Sequence, residues 1–85
     1  MFVADIETPM IYVSQDRRFA IMALDIQKYP DPTTAFRHGY AQLTWRWVRN
    51  PHMSDLAQAE IRTQQFSLRE PFRYTADRYM IEELP

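Results

Sequence analysis

The chain has no cysteine, one glycine and one lysine among its 85 residues. Without cysteine there is neither a disulfide framework nor a thiolate zinc site, the staples on which small secreted domains commonly rely. The expected setting is therefore a reducing one, the cytoplasm. With Gly39 as the only glycine, phosphate-cradling loops built on repeated glycines are excluded, the dinucleotide fingerprint and the P-loop among them. No apolar run approaches the ~18 residues of a membrane span, and Met1-Phe2-Val3-Ala4-Asp5 lacks the basic start and apolar stretch of a signal peptide. No membrane partner is expected. A charge excess of either sign is missing too. Ten Lys and Arg against eleven Asp and Glu leave a formal net charge of -1, short of the broad positive field that nucleic-acid binding draws on.

What is present is an ordinary globular composition, 46% hydrophobic and 25% charged, where a disordered chain would be poor in aromatics and unbalanced in charge. The length suits one core, so residues 1–85 are expected to form a single compact domain without a linker. At this size folding buries only ~60–65% of the surface of the unfolded chain, and few apolar residues can be spared from the core.

Local patterns divide the chain at its prolines. Pro9 to Ser14 is β-branched and aromatic and reads as a short strand. Residues 15–29 fit either a helix capped by Ser14 or the second arm of a hairpin turning at Ser14-Gln15-Asp16-Arg17, with the hairpin preferred. Tyr29-Pro30-Asp31-Pro32 is a break, after which Asp31 and Pro32 suit the start of a short helix ending at Gly39. From Tyr40, Ala41, Leu43, Trp45 and Trp47 alternate with Gln42, Thr44, Arg46 and Val48, the period of a strand with both tryptophans on one face. Beyond Asn50-Pro51, Ser54 and Asp55 supply the cap and first-turn acid of a helix through Arg62, the clearest helix in the chain. Phe66 to Arg69 reads as a strand. In the last segment Thr75 suits the cap of a terminal helix with Ala76, Tyr79, Met80 and Leu84 on its inner side, with an edge strand over Arg73 to Ile81 as the alternative. The expected fold is α+β, a small antiparallel sheet of three or four strands packed against one or two helices, with an all-α arrangement as the alternative.

No reactive constellation emerges from the polar residues. His38 and His52 are separated in sequence, with no cysteine to join them, and give no metal-ligand signature. Ser14, Ser54, Thr33 and Thr75 stand where caps and turns require them. Glu82 and Glu83 form a solvated acidic end. Neither a catalytic residue nor a cofactor or metal is expected. One stretch does depart from the average, because between Asp31 and Asp55 there is no acidic residue. That stretch holds Arg37, Tyr40, Trp45, Arg46, Trp47 and Arg49, and arginine with large aromatics dominates protein-interface hot spots. These six are the candidate partner-binding residues. The competing structural explanation is that Trp45 and Trp47 are core residues of a central strand and the arginines merely exposed.

The expected function is accordingly a non-enzymatic protein-interaction module, a small adaptor, assembly factor or phage- or plasmid-type inhibitor that binds a larger protein or complex. The alternative is binding of single-stranded nucleic acid or RNA through segment 36–49, by stacking and arginine contacts. A homodimer is a further expectation, formed by self-pairing of an edge strand at Phe66 to Arg69 or at residues 10–13.

Overall fold

Met10-Ile11-Tyr12-Val13 is apolar at every position, the pattern of a strand covered on both faces. In the computed structural model, which describes residues 1–83, these residues belong to β1 (Met10–Ser14). The other strands are β2 (Ala20–Tyr29), β3 (Tyr40–Arg49), β4 (Arg62–Ser67) and β5 (Tyr74–Ala76). All pairings are antiparallel in the order β4-β3-β2-β1-β5, so β1 to β4 form a meander and β5 returns beside β1. A 3-10 turn at Val3–Asp5 precedes the sheet, and two short helices, α1 (Asp55–Gln58) and α2 (Arg78–Glu83), complete the described chain. Among the described residues no helix is long and apolar enough to cross a membrane.

The expected α+β arrangement of three or four strands on one or two helices is corrected to a five-stranded sheet with only short helical turns, and the all-α alternative is overturned with it. Three local outcomes account for the difference. The helix capped by Ser54 does form, with the Ser54 hydroxyl accepting from the Ala57 amide at 3.2 Å, but it stops after four residues. Leu56 is 87% and Ile61 63% exposed, so no apolar face is buried to sustain further turns that propensity alone leaves marginal. The helix expected after Pro32 is a set of bends and turns, in which the Thr33 hydroxyl takes the Phe36 amide at 3.0 Å. Thr75, expected as a helix cap, lies in β5, and Asp77 caps α2 instead, its carboxylate accepting the amides of Tyr79 and Met80 at 3.2 and 3.3 Å. Leu84, expected on the inner side of that helix, lies outside the described residues.

The period of two sorts the core into two layers. On the inner face Met10 and Tyr12 of β1 join Ile21 and Ala23 of β2 and Ala41 and Leu43 of β3, with Val3 and Ile6 from the N-terminal lead. On the outer face Ile11, Val13 and Ala20 pack with Met22, Val48 and the α2 residues Met80 and Ile81. β2 looks apolar on both sides because its register shifts between Ala23 and Asp25, so Leu24 is the extra residue. Past such a bulge the alternation reverses, which returns Ile26 to the inner face opposite Leu43.

Phe66 from one edge strand and Tyr74 from the other line the same cavity on the inner face, although a flat sheet at ~4.8 Å per strand would hold those edges ~19 Å apart. The sheet is therefore curled. The gap between its edges is bridged by the N-terminal lead and the β4–β5 connection: Val3 and Ala4 amides donate to Glu70 and Leu68 carbonyls at 2.9 and 3.0 Å, and the Phe72 amide donates to Met1 at 2.9 Å. β1 is flanked by β2 and β5, so residues 10–13 are not the open edge considered for self-pairing.

The β1–β2 hairpin closes on Ser14. Its hydroxyl donates to the Asp16 carboxylate at 2.7 Å and accepts the Phe19 amide at 3.1 Å, while the Arg18 amide reaches the same carboxylate at 3.1 Å. These donors, the Ser14 hydroxyl first and the Arg18 amide second, hold the Asp16 carboxyl below its ordinary range. A lowered native pKa means that the contribution of the ionised form is present above the unfolded value and is lost as pH falls through the native one. Ser14→Ala is expected to move the Asp16 midpoint upward in a carbon-detected NMR titration; an unchanged midpoint would show that the hydroxyl is not its main partner.

Candidate functional site

Trp45 and Trp47 alternate with Leu43 on β3, and the pleat sends all three inward. Leu43 is buried, and the two indoles are half-buried. Their rings meet edge to face, 5.1 Å apart at 80°. The Trp45 indole nitrogen donates to the Gln64 side-chain carbonyl at 3.1 Å on neighbouring β4, and the Arg62 guanidinium carbon lies 5.9 Å from the centre of a Trp45 ring. Phe19 also packs against Trp47, with 6.2 Å between ring centres.

The curl of the sheet brings three more aromatics to these indoles. Phe66 arrives from β4, Tyr74 from β5 and Phe72 from the connection between them, and with both tryptophans they line a partly open cavity of about 210 Å³. Phe72 stands edge to face on the buried Tyr12, 5.1 Å apart at 86°, and 5.2 Å from Tyr74. Val3, Ile6, Ile21 and Leu43 form the apolar floor. Glu70 and Pro71 complete the rim. Phe2, 51% exposed, pairs with Pro71 through an antiparallel bridge, so an exposed apolar side chain stands beside the opening.

Of the lining residues, only Glu70 and Tyr74 carry ionisable side chains. Burial pushes the Tyr74 phenol above its ordinary value, and the Asp16 carboxylate adds in the same direction. Among the described residues no three His, Asp or Glu side chains gather as metal ligands.

The six residues singled out in the sequence do not share one surface. Trp45 and Trp47 belong to the inner-face cavity. Arg46 pairs across from Met22 on the outer face, where its guanidinium donates to the Trp47 carbonyl at 3.2 Å. A second register shift, at Val48, brings Arg49 opposite Ala20, and Arg49 donates to the Arg17 carbonyl at 2.8 Å. Tyr40 stands at the other end of β3, stacked between Tyr29 and Phe36 at 4.8 and 5.3 Å. Arg37 is exposed in the β2–β3 connection. Sequence reasoning missed Phe66, Phe72, Tyr74 and Glu70. Their only shared signal was the aromatic density of segment 66–74, which no periodicity linked to β3.

Comparison of the chain with protein families, with curated proteins and with solved structures finds no match.

Proposed function

We propose that the protein is a non-enzymatic interaction module that holds a larger protein or complex by seating one side chain of its partner in the inner-face cavity. The observation that carries this reading is the cavity itself: five aromatic rings around about 210 Å³, with both tryptophans of the chain among them. An apolar cavity of ~150 Å³ is enough to take benzene, so this one has room for a single ring or branched side chain. Hot spots of protein interfaces are such anchors in desolvated pockets, with a surrounding contact area that excludes water. Exposed Met1 and Phe2 beside the rim extend the apolar surface in that way. A binding role also fits a lining without a nucleophile beside a base. The absence of cysteine suits work in the cytoplasm.

The geometry favours a protein over a nucleic acid as the partner. Stacking and phosphate contact through segment 36–49 would require the tryptophans and Arg46 on one surface, and the pleat sets them on opposite faces.

The test fills the cavity without touching its rim. Leu43→Phe places a ring on the floor, where the void can accept the added atoms that a filled core would resist. A partner retained by the wild-type protein at near-physiological salt, and identified by mass spectrometry, is expected to be lost with the variant while the thermal midpoint stays within a few degrees. Equal retention by both proteins would contradict the proposal.

A further inference from the structure

From the chemistry of the cavity we infer the nature of its occupant: a methylated lysine of the partner protein, its ammonium held among the aromatic rings and facing the carboxylate of Glu70. The inference rests on the anchor reading above and adds the charge of the anchor.

Two observations point to a cation. The rings do not stack as one layer. Trp45 and Trp47 of β3 stand at 80° to one another, while Phe72 of the β4–β5 connection and Tyr74 of β5 form a second pair, 5.2 Å apart at 36°. Walls of differing orientation surround a guest on several sides, the arrangement by which aromatic faces attract quaternary ammonium groups. Glu70, an exposed residue, is the single charged residue of the lining, and it makes no ion pair among the described residues. A purely apolar guest would gain nothing from a carboxylate at the rim and would strip part of its hydration.

Methylation follows from the balance of hydration. A bare lysine ammonium is compact and strongly hydrated, and a mostly apolar lining with one carboxylate replaces little of that water. Methyl groups weaken the hydration, fill more of the 210 Å³ and keep the charge. The lysine stem supplies the apolar reach from the partner's backbone into the cavity.

The two tryptophans of the chain both line the cavity, so the indole N–H peaks of a nitrogen-15 spectrum report directly on occupancy. The probes are N-acetyl-trimethyllysine methylamide, its uncharged analogue with a tert-butyl carbon in place of the trimethylated nitrogen, and choline. The trimethyllysine derivative is expected to move both indole peaks saturably. The uncharged analogue should bind about tenfold more weakly, and Glu70→Gln should weaken only the charged probe, by about threefold to tenfold, in line with the range of cation–π and surface ion-pair strengths. Equal binding of the two lysine analogues would overturn the cationic assignment and leave the anchor reading standing. No shift with either would count against both. Choline binding more tightly than the lysine derivative would overturn the assignment to a protein side chain.

Discussion

Tyr12→Ala is expected to lower the unfolding free energy by about 3–5 kcal/mol, the range for deleting a large buried side chain where neighbours collapse only in part. Tyr12 is 1% exposed on β1, bonded to β2 on one side and β5 on the other, and Phe72 stands on its ring. Removing the ring withdraws the support of a cavity wall as well as core volume. A chain of 85 residues at ~0.05–0.15 kcal/mol per residue has about 4–13 kcal/mol in all, so the loss is a large share of the total and should shift the urea midpoint strongly downward. Tyr12→Phe separates the hydroxyl from the ring. The hydroxyl accepts the Glu7 amide at 2.7 Å, and losing that acceptor should cost about 1 kcal/mol. Urea unfolding of both variants checks the pair of values. Near-equal losses would mean that the hydrogen bond, and not packing, dominates at this position. Burial also pushes the Tyr12 phenol above its ordinary value. The contribution of its protonated form is therefore complete below the unfolded value and is lost as pH rises through the native one.

Gly39→Ala is expected to be the most damaging single methyl added to the chain. Gly39 has φ +82°, a region that L side chains rarely adopt. A Cβ there would lie 2.5 Å from the Tyr29 carbonyl oxygen and 2.8 Å from the Pro30 carbonyl, atoms of the backbone that cannot turn aside. Strain of about 1–3 kcal/mol for the left-handed conformation adds to the displacement of the β2–β3 connection. That connection sets the register Tyr29 to Tyr40, and the Gly39 carbonyl also accepts the Leu68 amide at 3.2 Å. The disturbance therefore reaches the segment that closes the curl. Thermal unfolding should show a fall in midpoint of more than ten degrees, given ~4–8 °C per kcal/mol for a domain of this size. A fall of only a degree or two would show that the connection yields to the methyl group.

The sequence made some of this legible and concealed the rest for identifiable reasons. β1 and β3 were readable because their apolar residues keep a strict local pattern. β2 was ambiguous because the bulge at Leu24 reverses its alternation, so that Ala23 and Ile26 share a face despite odd spacing. β4 begins at Arg62 and not at Phe66, where the strand is expected, because Arg62 to Gln65 have no apolar alternation. They are held by cross-strand contacts such as the Thr44 and Thr63 hydroxyls at 3.2 Å, which depend on which strand lies opposite. The helix at Ser54 shows the limit of capping signals, which mark where a helix starts but not whether a face will be buried. At the site, the shared face of Trp45 and Trp47 was visible in the period of two. Phe66, Phe72 and Tyr74 join them only through the long-range arrangement that sets both edge strands and their connection around one cavity, a result with no local pattern. The same pleat that gathers the tryptophans carries Arg46 away from them, so nearness in sequence suggested a patch that the strand divides.

The central claim is that Trp45 and Trp47 line a cavity that admits a guest, and the direct measurement uses the smallest apolar probe. Benzene is expected to move both indole N–H peaks of the nitrogen-15-labelled wild-type protein saturably, and to leave those of Leu43→Phe where they are. Peaks unmoved in the wild-type protein, or moved equally in the filled variant, would contradict the cavity as a binding site and with it the interaction role built on it.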